Sequence, residues 1–158
     1  MKNIELNKQV QRINSLIAST LDSTNDKLEL QGHWGKYLCI IVAGFLENAI
    51  SQIYIDFTDS SSSPAVASFT RTQLLKINNP KSSKFVEIAT AFKKEWGSDL
   101  QKYFDGNVRT KEAIDSVMTN RHLIAHGKTA TISIAQIKNY FQDSIKVLDY
   151  IETQCGVS

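Results

Sequence analysis

Apolar positions recur at three- and four-residue spacing along most of the chain, a period that predicts helices rather than strands. Ile4, Val10, Ile13, Leu16, Ile17 and Leu21 approximate one stripe, with Lys8 and Arg12 opposite, so a first helix is expected from Ile4 to about Leu21. Asp22-Ser23-Thr24-Asn25-Asp26 follows as a polar turn or bend. A second, longest helix is expected from Leu28 or His33 to Phe57. It is apolar nearly all round between Tyr37 and Ile55, the mark of a central bundle helix. Within it Glu47 shares a face with Ala43, Gly44, Ile50 and Tyr54.

Asp59-Ser60-Ser61-Ser62-Ser63-Pro64 is the clearest break. Ser63 stands as N-cap and Pro64 as first residue of a short helix carrying Val66, Phe69, Leu74 and Leu75. Another short helix begins near Ser82 or Ser83 with Phe85, Ile88, Ala89 and Phe92 as its apolar face, and Trp96-Gly97-Ser98 reads as its end. Leu100–Phe104 adds a further turn, and Asp105-Gly106-Asn107 is a turn signal. A long helix is expected from an N-cap at Thr110 to a stop at Gly127. The last begins at a capping box, Ser133 with Gln136, and carries the stripe Ile134, Ile137, Phe141, Ile145, Leu148 and Ile151 to about Thr153. The fold class is therefore all-α: one domain over residues 1–158, an up-and-down bundle of four long helices with short helices inserted before the third long one.

Composition narrows this picture only a little. The 158 residues suffice for one real core, and 42% apolar content with two prolines suits an ordered domain. A formal net charge of +2 permits a nucleic-acid partner without arguing for one. The lysines at 81, 84, 93 and 94 read as an RNA-backbone patch or, on the simpler view, as a solvated helix surface. Cys39 and Cys155 are too few for a disulfide framework. The polar start from Met1 to Asn7 has no signal-peptide pattern, and the apolar run Tyr37–Phe45 is short for a membrane span. A soluble cytoplasmic protein with no membrane partner is expected.

Chemistry concentrates in one stretch, Thr119-Asn120-Arg121-His122-Leu123-Ile124-Ala125-His126-Gly127. Ile114, Val117, Met118, Arg121 and Ala125 form one helical face, which sets Arg121 on the apolar stripe, a costly place for an unpaired guanidinium. Glu47 is a candidate counter-ion for it; the competing reading leaves Glu47 facing solvent or a partner chain. Three readings of the stretch compete: a capped helix end with incidental histidines, a metal site, and a phosphodiester-cleaving Arg-x4-His site. His122 and His126 share a helical face four residues apart, as metal ligands do. Leu123, however, stands where the protease motif H-E-x-x-H requires its Glu, and no further ligands cluster nearby, so no metal is expected. Histidine moves protons near neutrality, and arginine grips phosphate oxygens bidentately.

Arg121-His122-Leu123-Ile124-Ala125-His126-Gly127 resembles the signature of the HEPN superfamily, an arginine and a polar residue, three variable residues, then histidine. The order of elements resembles the RiboL-PSP-HEPN type of small prokaryotic protein. The departure is His122, where that signature more often has Asn. The resemblance implies a metal-independent endoribonuclease with no cofactor, of a toxin–antitoxin or antiphage defence system. Arg121 and His126 would be catalytic, and His122, Asn120 and Glu47 supporting. The partners it implies are RNA, a second copy in a homodimer, and an antitoxin protein. The alternative it leaves is a non-catalytic HEPN-like module that binds nucleotides or protein and keeps the motif for dimerisation. Five residues of helix span about 140°, so Arg121 and His126 diverge within one protomer. Two motifs across a two-fold axis would ease that. Tyr37, Tyr54 or Tyr140 would stack bases only if exposed.

Overall fold

Helix α2 (Leu28–Ser61) is the axis of the molecule. The computed structural model describes residues 1–156, and α2 packs there against α1 (Ile4–Ser23), α3 (Pro64–Leu74), α6 (Val108–Ala125) and α7 (Ile134–Gln154). The cause is visible in its sequence: Leu38, Cys39, Val42, Leu46, Ala49, Ile50 and Tyr54 point in more than one direction round the helix, and all are fully buried. Each such leucine or isoleucine contributes roughly 1.5–3 kcal/mol of burial. The four long helices are α1, α2, α6 and α7. The short helices α4 (Ser82–Phe92) and α5 (Lys94–Gly106) pack mainly on each other, touch α6, and reach α2 and α7 through aromatic contacts of Phe92 and Trp96 with Tyr54 and Phe57 and of Tyr103 with Tyr150. No strand occurs among the described residues. By length and composition α2 could cross a membrane, yet most of its apolar window is buried inside the bundle, as in a core helix.

Several element ends differ from the sequence reading. α1 is capped by Asn3, whose side chain accepts from Leu6 N at 2.9 Å; Leu6 is buried in its stripe, and Ile4 is 72% exposed. α2 continues through Asp59 and the first serines, because Ser60, Ser61 and Ser62 donate back to the helix carbonyls of Phe57 and Thr58. Val66, Phe69 and Leu75 of the α3 region lie outward, and Ala67 and Leu74 make its buried contacts.

The break between α4 and α5 falls at Lys93, whose extended backbone (φ −149°, ψ 130°) interrupts the helix. Gly97 lies inside α5, where any larger side chain would run into Thr90 of α4. It serves close packing rather than termination. α6 starts at an Asn107 N-cap position and not at Thr110, which is buried inside the helix and donates to the Asn107 carbonyl at 2.7 Å.

Candidate functional site

The motif sits on the last turns of α6, and both ends of that turn are fixed by identifiable contacts. Upstream, Ile114, Val117 and Met118 are fully buried, and the Cys39 thiol of α2 donates to the Val117 carbonyl at 3.5 Å. Downstream, the chain leaves the helix through Gly127 at φ +64°, a left-handed conformation that glycine adopts without penalty. Gly127 N donates to Ile124 O at 3.1 Å and Lys128 N to Leu123 O at 2.9 Å, the double bond of a Schellman stop. Ala130 and Ile132 of the following link are buried, while Thr129, Thr131 and Ser133 alternate outward. The Ser133–Gln136 capping box then opens α7, with both of its bonds formed.

Arg121 is half-buried at the open end of the apolar stripe, and it makes no ion pair or hydrogen bond among the described residues. His122 and His126 are both exposed on another side of the helix. Their rings approach with centroids 4.4 Å apart and planes tilted by 58°. His126 closes the helix as its C-cap, its N–H bonded to His122 O at 3.2 Å. The Asn120 side chain is turned back on its own helix, donating to Ser116 O at 2.9 Å.

Glu47 is not the partner of Arg121 within the protomer. Its carboxylate accepts from Asn79 N at 2.5 Å and holds the loop between α3 and α4, where Asn79 has φ +48°. Of the tyrosines considered as stacking platforms, Tyr37 is 52% exposed beside Trp34. Tyr140 is partly buried, and Tyr54 is fully buried, stacked on Phe92 with centroids 4.6 Å apart. The lysine cluster disperses: Lys84 pairs with Glu87, and Lys93 lies over the Trp96 ring at 4.5 Å.

Sequence reasoning missed an open groove of about 800 Å³ between the start of α2 and the link. Its lining includes His33, Lys36, Thr129, Ile132 and Ser133, so it begins three residues beyond His126. The alternation of Thr129, Ala130, Thr131, Ile132 and Ser133 was the available signal for a link lying flat along α2.

The fold is thus an all-α bundle of four long helices with short helices inserted before the third, and the stretch Arg121–His126 closes that third helix. A family model described as RiboL-PSP-HEPN matches residues 4–156, and the chain belongs to that family. Searches of curated proteins and of solved structures found no match.

Proposed function

We propose that the protein is a metal-independent endoribonuclease acting in a toxin–antitoxin or antiphage defence system. The observation that carries this reading is the unspent chemistry at the end of α6. In a chain of this family, Arg121, His122 and His126 make no ion pair among the described residues, and neither Arg121 nor the two rings are consumed there by side-chain hydrogen bonds. A half-buried guanidinium without a counter-ion favours an anion arriving from outside.

The RNA 2′-hydroxyl attacks the adjacent phosphorus, and the bond to the 5′-oxygen of the next nucleotide breaks. The products are a 2′,3′-cyclic phosphate and a 5′-hydroxyl. His126 transfers a proton at that centre, and Arg121 stabilises the charge that develops on the phosphoryl oxygens. Because one imidazole does not serve as acid and base in the same step, the working unit is a homodimer that pools two motifs. The groove beside His33 and Lys36 offers a path for the rest of the strand. An antitoxin protein is the expected regulator.

The divergence of Arg121 and His126 on their helix favours the other reading, a non-catalytic binding or dimerisation module. One experiment separates the two. Purified protein is incubated with total RNA in EDTA, and the cleaved ends are mapped. Cleavage that persists in EDTA, leaves cyclic phosphates and disappears in Arg121→Ala and His126→Ala is expected. No cleavage by a folded, dimeric wild type overturns the enzyme and leaves the binding module.

A further inference from the structure

The two histidines carry a second implication that the nuclease chemistry does not use. We infer that His122 and His126 together chelate a borderline transition-metal dication, Cu²⁺ or Ni²⁺ in preference to Zn²⁺, and that this ion switches the nuclease off. The inhibitory half of the inference rests on the nuclease reading; the binding half does not.

His122 lies in the last turn of α6 and His126 is its C-cap four residues on, so the two side chains leave the same face one turn apart. The ring centroids are 4.4 Å apart and both rings are exposed. Rings this close, on side chains free to turn at the surface, can each bring one nitrogen to a single ion at the usual metal–nitrogen distance of about 2.0–2.1 Å. Two imidazoles with water in the remaining positions make a mixed nitrogen and oxygen shell. Tetragonal nitrogen and oxygen coordination is the preference of Cu²⁺ and Ni²⁺, which also head the general affinity order for such ligands.

No third His, Cys, Asp or Glu joins the pair among the described residues. Water or a second protomer's pair therefore completes the shell, so the ion is exchangeable rather than structural. Cys39 and Cys155 are buried and do not compete. The nearest similar arrangement is His33 with Glu29, whose Nε2 and Oε1 stand 4.0 Å apart, and it supplies only one imidazole.

An ion held at His126 takes the lone pair that would accept a proton. It also sets a fixed positive charge beside the site where Arg121 meets phosphate. RNA cleavage would then be fastest in chelator and fall as the metal is restored.

The test uses untagged full-length protein stripped with EDTA and dialysed, titrated calorimetrically with CuCl₂, NiCl₂, ZnCl₂ and MnCl₂. Saturable binding of one ion per histidine pair, or one per dimer, is expected, tightest for Cu²⁺ and weakest for Mn²⁺. His122→Asn should weaken it by at least the roughly 10- to 100-fold that loss of even an outer-sphere support costs. His33→Ala should retain it. Circular dichroism confirms that each variant is folded, which an exposed site makes a mild demand.

In the RNA assay, Ni²⁺ should lower the wild-type rate. For His122→Asn the ratio of rates with and without Ni²⁺ should return towards one. Equal binding by wild type and His122→Asn, or Zn²⁺ bound as tightly as Cu²⁺ and Ni²⁺, overturns the inference. Metal binding by a protein that never cleaves RNA overturns the nuclease reading and, with it, only the inhibitory half.

Discussion

Gly35 of α2 lies directly against the carbonyl of Ile132, so close that a methyl group added to the glycine would collide with that oxygen. The contact pins the link that follows the motif to the helix at the centre of the bundle. Backbone, not a flexible side chain, stands in the way, so relief requires the link to move. Gly35→Ala should therefore lower stability by about 1–3 kcal/mol, the usual cost of overpacking a tight interior. It should also displace the chain just after the Gly127 stop. Urea unfolding of the variant, followed at one α-helical and one tryptophan signal, measures the first effect. A midpoint equal to the wild type's would mean that the link slides freely along α2.

Glu47 and Arg121 should behave as independent residues in the protomer. Glu47→Ala removes the acceptor for Asn79 N, which sits in a left-handed loop, and should cost about 1 kcal/mol for the partly buried donor left behind. Arg121→Ala removes a side chain with no ion pair or hydrogen bond among the described residues, and its cost should be small. In a double-mutant cycle on unfolding free energy the two costs should add to within about 0.5 kcal/mol. A coupling well above that value would restore the ion pair, either within the chain or across a dimer.

These two cases show where sequence patterning stops. Features set by neighbours along the chain were legible: the Ser133–Gln136 capping box, the Gly127 stop and the α7 stripe from Ile134 to Ile151 follow from local periodicity and local bonds. The half-buried position of Arg121 on the α6 stripe was legible for the same reason. Features set by distant contacts were not. Gly97 looks like a helix stop because glycine often ends helices, yet its role is the close approach of Thr90. Glu47 looked for a cation because a carboxylate on a buried face wants one, and it found a main-chain N–H 32 residues away. Outward Ile4, Val66 and Phe69 break the expectation that apolar residues mark the core.

The two thiols predict an alkaline limit to stability. Burial pushes Cys39 from 9.0 up to about 12. Burial, reinforced by the Glu152 carboxylate and opposed by Lys93, does the same for Cys155. The raised values mean that the folded state keeps its thiol protons longer than the unfolded chain does. The associated stability is fully present below about pH 9 and is lost as pH rises from there towards 12. Burial shifts Tyr54, Tyr103 and Tyr150 in the same direction, so they add to the loss at the upper end. The unfolding free energy should fall steadily in this window, and less steeply in Cys39→Ala/Cys155→Ala. A thiol reagent at neutral pH should label neither cysteine until the protein unfolds. Fast labelling of the native protein would contradict the burial argument outright.

Asp115 on α6 caps α4 from outside that helix, and this tie should be worth more than its surface position implies. The N-cap position, Lys81, makes no side-chain cap bond. Asp115 Oδ1 instead accepts from Ser82 N at 2.8 Å and Oδ2 from Ser82 Oγ at 2.9 Å, with Lys111 Nζ at 3.2 Å behind. A carboxylate at a helix N-terminus also interacts favourably with the helix dipole. Ser82→Ala loses only the hydroxyl bond and keeps the main-chain one, so its cost should be near 1 kcal/mol. Asp115→Ala strands both donors of a buried serine and removes the charge, and should cost about 2–3 kcal/mol. Since Asp115 ties the first turn of α4 to α6 through both bonds, amide exchange in α4 should rise more in Asp115→Ala than in Ser82→Ala. Equal effects of the two substitutions would mean that the hydroxyl alone makes the junction and that the motif helix does not anchor the inserted pair.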